Sequence, residues 1–174
     1  MSYFILSQDD RIPDAIEPVG IRKTIPKDIL DEARISELKE LSLQFPVPDR
    51  EQIEYVDFIE RPIPLLSDKL KQLLEKFLPR QFYHPVGLVD FTRMRQEVYW
   101  ITMPQRMDCL SDESEFHPNG TLKRPVIRGD MAGSAPFFQI DGIYETILVV
   151  NLFLAESMLR RDFHGLRLTK IEEV

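Results

Sequence analysis

Two segments of the chain repeat apolar residues at the spacing of an amphipathic helix. The first, at about 67–78, begins with Ser67, a preferred N-cap residue, and ends before Pro79. Its apolar residues recur at i, i+3, i+4 and i+7 and are expected to form one buried stripe: Leu70, Leu73, Leu74 and Phe77.

The second helical segment, at about 152–163, shows the same order of signals: an N-cap residue, an apolar stripe and a residue that ends the helix. Asn151 occupies the N-cap position, and Gly165 is expected to lie at the C′ position, where glycine commonly ends a helix. The predicted apolar stripe contains Leu154, Ala155, Met158 and Leu159.

Other segments have the composition or alternation of strands. These are residues 2–8, 81–91, 97–110 and 166–174, and the basic turn 92–96 joins the second to the third. Residues 143–150 suit either a strand or a helix. Alternating strands need a cover, so the pattern predicts an α+β fold with a mainly antiparallel sheet and both main helices packed on one face.

The N-terminal part of the chain gives a weaker signal. Helix formers after Pro26 predict one or two short helices before residue 46, but their apolar phase is poor. We treat residues 1–174 as one domain, in which residues 1–50 form an acidic segment whose packing is not predicted.

Composition narrows the class of protein. Apolar residues make up 43 % of the chain and charged residues 29 %, which is typical of a globular protein. A single cysteine cannot form an internal disulfide, "MSYFILSQDD" lacks the basic region of a signal peptide, and "ILVVNLFLA" is too short to span a bilayer. We expect a cytoplasmic protein that does not insert into membranes.

The net charge of −7 is uneven along the chain. Residues 1–60 contain fourteen Asp/Glu and seven Lys/Arg, whereas residues 61–174 contain fifteen of each. Acidic surfaces repel nucleic acid and attract basic partners, although they also simply aid solubility. The candidate partner-binding residues form two groups: Asp28, Asp31, Glu32, Glu37 and Glu40, and then Asp112, Glu113 and Glu115.

The stretch "MPQRMDCLSDESEFHPNG" (103–120) is the strongest candidate for chemistry. It offers one Cys and one His where zinc would need four ligands, and its acids lack the spacing of a calcium loop. Cys109 has apolar or strand-like neighbours, where a cysteine is usually a small buried hydrophobe. The chain also lacks P-loop, G-x-S-x-G, H-E-x-x-H and C-x-x-C motifs. We therefore expect no catalytic, metal-binding or cofactor-binding residues, and a strand that leads into a solvated acidic loop.

Four stretches together resemble a known family: "LLSDKLKQLLEKF", "QFYHPVGLVD", "VYWITMPQRMDCLSDES" and "LVVNLFLAESMLRRDFHGLRLTKI". They are similar to the Myxococcus-type immunity domain of bacterial polymorphic toxin systems, over residues 51–174. The third stretch is the most specific, although the chain has Met103-Pro104 where the family tends to Asn-Val. Residues 1–50 have no counterpart in the pattern.

The resemblance implies a non-enzymatic cytoplasmic protein that binds and neutralises a cognate toxin. It identifies no toxin, and it carries no catalytic residues to this chain. Two alternatives stay open. One is a ligand-binding or scaffold domain without a toxin partner, and the other is an enzyme that uses Cys109 with His84, His117 or His164 as its base.

Overall fold

The structure is a computed structural model that describes residues 1–174, and it combines helices with mainly antiparallel strands. The helices are α1 (Ile21–Thr24), α2 (Lys27–Asp31), α3 (Ile35–Lys39), α4 (Asp68–Phe77), α5 (Gly129–Ala132) and α6 (Leu152–Leu159). The α+β class predicted from the sequence is confirmed. No helix has both the length and the apolar character that crossing a membrane requires.

The strands are short except for one long hairpin. They are β1 (Tyr3–Gln8), β2 (Gln44–Pro46), β3 (Phe58–Ile59), β4 (Leu65–Ser67), β5 (Tyr83–Asp90), β6 (Arg95–Thr102), β7 (Arg106–Met107), β8 (Glu115–Phe116), β9 (Leu122–Arg124), β10 (Val126–Ile127), β11 (Phe137–Ile140), β12 (Leu148–Asn151), β13 (Leu166–Lys170) and β14 (Glu172–Glu173). The predicted strand at 97–110 is divided into β6 and β7, and the segment that divides it contains Pro104.

The chain divides into two compact units, neither of which is continuous in sequence. The terminal unit contains residues 1–7, 104–162 and 167–174, and the central unit contains residues 8–103 and 163–166. Two compact units can still unfold together as one cooperative domain, so the single domain stays a prediction.

The central unit is built on a five-stranded sheet with the order β2-β5-β6-β4-β3. The β5–β6 hairpin pairs antiparallel over its full length, from Tyr83 with Thr102 to Asp90 with Arg95, and β2 adds to β5 in parallel. One face of this sheet packs against α1, α2 and α3 in a shared apolar core. The N-terminal segment, whose packing was not predicted, therefore supplies the cover of this face.

Helix α4 packs against β4 and β6 of the same sheet. Ser67 caps the helix as predicted, because its Oγ accepts a hydrogen bond from the Leu70 backbone N–H at 3.1 Å. Leu70, Leu73 and Leu74 are buried, which confirms these three positions of the stripe, and Phe77 is half-buried.

The terminal unit contains the second five-stranded sheet, with the order β13-β1-β12-β11-β7. Residues 143–150 contribute strand β12 rather than a helix, and α6 follows this strand directly. Asn151 caps α6 through a 3.0 Å bond from the Leu154 N–H. Helix α6 therefore does not share a sheet with α4, because the two helices belong to different units.

Two details of the second helix differ from the prediction. Leu159 is 73 % exposed, since α6 ends at this residue and the buried side chains are those of Leu154, Ala155 and Met158. Gly165 lies beyond the helix end rather than at its C′ position, although it does adopt a positive φ of 80°.

Candidate partner-binding site

Cys109 is fully buried, as its sequence neighbours predict. Burial raises the pKa of its thiol to about 11, and the nearby Asp108 carboxylate adds to the effect. A buried thiol that stays protonated at neutral pH is a poor nucleophile. A catalytic role for Cys109 would therefore require the thiol to become exposed.

No group of three or more His, Cys, Asp and Glu side chains is positioned to hold a metal ion. In the acidic loop, Arg124 Nε lies 3.0 Å from a Glu115 carboxylate oxygen, and Arg124 also pairs with Glu172. Asp112 and Glu113 are exposed beside this network.

A serine, an aspartate and a histidine meet in the central unit, which the sequence did not indicate. The Ser67 hydroxyl donates to Asp57 Oδ1 at 2.6 Å, and the His164 backbone N–H donates to Asp57 Oδ2 at 2.7 Å. The His164 ring instead contacts a Glu54 carboxylate oxygen, 2.7 Å from Nε2.

This cluster joins distant segments rather than forming a catalytic triad. A triad needs the imidazole on the serine hydroxyl, whereas here Ser67 Oγ bonds to Asp57 and to the start of α4. The Asp57 N–H also donates to the His164 carbonyl at 2.7 Å. The arrangement fixes β4, α4 and residues 163–166 to one another.

Two shallow cavities are further candidates for a ligand site. One, of about 240 Å³, lies in the central unit beside Gln8 and Ile16, and the Arg50–Glu17 ion pair lines it. The other, of about 550 Å³, is an open depression beside residues 170–173 of the terminal unit. The first is smaller than a typical ligand pocket and the second is open to solvent.

The first group of predicted acidic residues converges on helices α2 and α3. Arg34 lies between these helices, 2.5 Å from Asp28, 3.2 Å from Glu32 and 3.0 Å from Glu37. Lys27 pairs with Asp31 at 3.5 Å. We call this region the α2–α3 acidic surface: Asp28, Asp31, Glu32, Glu37 and Glu40.

The turn between α2 and α3 brings these carboxylates together. Ala33 adopts a left-handed conformation with a φ of 49°, and the Arg34 N–H donates to the Ile29 carbonyl, as in a helix C-cap. Ile29 and Leu38 point into the core on the other side of the two helices. Because the apolar residues face inward, the carboxylates face outward.

The two predicted acidic groups lie in different units. The α2–α3 acidic surface belongs to the central unit, and Asp112, Glu113 and Glu115 belong to the terminal unit. The charge skew of the sequence disappears in the fold, because the central unit carries eighteen carboxylates and fourteen Lys/Arg, and the terminal unit carries eleven and eight. Only local clusters, not a whole unit, are strongly acidic.

No protein-family model, curated protein or solved structure matches this chain. The resemblance to the immunity family therefore stays a prediction from the residues quoted above.

Proposed function

We propose that the chain is a non-enzymatic binding protein that neutralises a cognate bacterial toxin by contacting a basic surface of that toxin. The observation that carries the proposal is the α2–α3 acidic surface. Its five carboxylates outnumber Arg34 and Lys27, which pair with them, and all five side chains lie at the protein surface. The sequence resemblance supports the choice of a toxin as the partner.

The second acidic group suits this role less well. Glu115 already pairs with Arg124 and lies 3.9 Å from Lys123, so much of its charge is balanced within the chain. The α2–α3 acidic surface has five carboxylates against Lys27, Arg34 and Lys39 of the same segment, and a net acidic surface accelerates the association of an oppositely charged protein.

The experiment measures binding of the toxin candidate encoded beside this chain, at about 0.05 M and 0.5 M salt. The test variant is Glu37→Lys/Glu40→Lys, and the matched control, with the same change in charge, is Asp112→Lys/Glu113→Lys. We expect the test variant to slow association about tenfold at low salt and far less at high salt, because salt screens exposed charges. The control should stay within about twofold of the wild type.

A second measurement tests neutralisation itself. Cells that produce the toxin candidate should survive when the wild-type chain is co-produced, and the Glu37→Lys/Glu40→Lys variant should protect them less. A complete lack of protection by the wild type would overturn the proposed function. Equal association rates for all three proteins would remove the α2–α3 acidic surface from it.

A further inference from the structure

The β5–β6 hairpin has one buried face and one open face. Along β5 and β6 the side chains that point to the core alternate with those that point away. The buried set contains Val86, Leu88, Tyr99 and Ile101.

The opposite set, together with the matching residues of β2, contains no charged side chain. Register pairs Gln44 with Gly87, Pro46 with Val89, and Gly87 with Val98. We call this set the uncharged face: Gln44, Pro46, Pro85, Val89, Gln96 and Val98. Most of these residues are exposed, and Val89 is half-buried.

Gly87 lies at the centre of the uncharged face, beneath two amide side chains. A Cβ at this position would stand 2.9 Å from Gln96 Nε2 and 3.3 Å from Gln44 Cγ. The glycine therefore lets both glutamines lie flat across the strands, where they flank the apolar residues. Helix α4 covers only the other end of this sheet face, where Leu66 of β4 is buried.

The turn that ends the hairpin exposes its apolar residues and folds back its arginine. Phe91 is 70 % exposed and Met94 is 87 % exposed. Arg93 instead reaches Asp90, at 2.9 Å, and donates to the backbone carbonyls of Arg50 and Glu51. A turn that uses its charged side chain internally presents an apolar tip.

We propose that the uncharged face and the tip residues Phe91 and Met94 pack against the same surface of a second copy of this chain. Interface centres are depleted of charge and enriched in aromatic residues and methionine. A chain of net charge −7 repels its own copy wherever carboxylates meet. The uncharged face avoids this repulsion, and a two-fold interface brings the same face of both copies together.

The dimer is compatible with the proposed toxin contact but does not depend on it. Helices α2 and α3 pack on the opposite side of the central sheet, against Val86 and Leu88. Their acidic surface therefore points away from the uncharged face, and a dimer would present two copies of it to solvent.

The test is sedimentation of the full chain over a range of concentrations, at about 0.15 M and 1 M salt. We expect a reversible dimer that high salt does not dissociate, because a contact without charged side chains has no charge to screen. Met94→Glu and Val98→Glu should each weaken dimerisation at least tenfold. Each variant places two carboxylates, one from each copy, in an interface that excludes water.

Met131→Glu is the matched control, since it introduces the same charge at another exposed methionine, in the terminal unit. It should leave dimerisation unchanged, and the urea midpoints should show that all three variants fold. A wild type that stays monomeric at millimolar concentration would overturn the proposal, as would an equal loss in the control. A monomer that sediments with phosphatidylcholine vesicles would instead assign the tip to a lipid surface.

Discussion

Gly165 illustrates how a single residue can be conspicuous in sequence for a reason that only the fold reveals. Its place after an apolar stripe predicts a helix end, and its positive φ is indeed the conformation that favours glycine. The helix ends earlier, however, and Gly165 instead lies against Val56. A Cβ at this position would be closer to the Val56 side chain than non-bonded carbon atoms come.

Replacement of Gly165 should therefore cost more than replacement of a glycine in open space. We expect Gly165→Ala to lower the free energy of unfolding by about 2–5 kcal/mol, which combines left-handed strain with overpacking. Gly120 has a φ of 87° and no neighbour within 4 Å of a Cβ, so Gly120→Ala should cost only about 1–2 kcal/mol. Equal losses in urea unfolding would show that Val56 moves aside.

Cys109 gives a second prediction for a single side chain. Because the thiol is buried and its pKa is raised to about 11, a thiol reagent at pH 7.5 should label the chain only as fast as the chain opens. Cys109→Ser should cost about 1–3 kcal/mol, since it buries a hydroxyl. Rapid labelling of the folded chain, or loss of a measurable activity in a folded Cys109→Ala variant, would favour the enzyme alternative.

At the scale of elements, the sequence predicts what is decided locally. The caps of α4 and α6 were found because a cap side chain bonds to an N–H only three residues away. The β5–β6 hairpin and the α2–α3 acidic surface were also predicted in outline, since their members are close in sequence. The two short helices after Pro26, α2 and α3, agree with the prediction, whereas α1 and α5 were missed, because four residues cannot show a clear apolar period.

A sequence pattern detects a helix or a strand more readily than it identifies the element that packs against it. Both main helices were predicted on one sheet, whereas each belongs to a different unit, because a stripe of leucines does not specify which sheet covers it. The uncharged face was missed for a similar reason. It depends on the register of β2 beside β5, which is set by residues forty positions apart.

The leucine stripe of α4 can be tested against an exposed leucine of α6. Leu74→Ala should lower the free energy of unfolding by about 2–5 kcal/mol, because Leu74 is fully buried. Leu159→Ala, at a residue that is 73 % exposed, should change it by less than about 0.5 kcal/mol. Similar values for both variants would mean that α4 does not bury its stripe in solution.

At the scale of the whole molecule, the fold brings together segments that are far apart in the sequence. All fourteen carboxylates of residues 1–60 belong to the central unit, but residues 61–103 of the same unit add seven Lys/Arg and only four Asp/Glu, so the skew along the chain does not become a skew between the units. The Asp57 cluster likewise depends on residue 164, which is 107 positions away. No pattern in a single sequence reports such a pairing.

Because the chain passes from one unit to the other four times, neither unit is complete until most of the chain is placed. We expect one calorimetric transition, with an enthalpy of about 120 kcal/mol near 60 °C and equal to the van't Hoff value. Two resolved transitions would show that the units unfold separately and would contradict the single domain.

The ion pair between Asp90 and Arg93 makes the stability of the hairpin turn depend on pH. Burial alone would raise the pKa of Asp90, but the hydrogen bonds and charge of Arg93 outweigh burial and hold the pKa below its ordinary value of 3.8. The carboxylate therefore stabilises the fold at pH values above about 4, and this contribution is lost as the pH falls through the lowered value.

Asp90→Asn should reduce the urea midpoint at pH 6.5, and the difference from the wild type should shrink toward pH 3. A difference that stays constant with pH would assign the role of Asp90 to its shape rather than its charge. In acid, a proton competes with Arg93 for the same oxygen, and the turn that carries Phe91 and Met94 loses one of the bonds that hold its backbone in place.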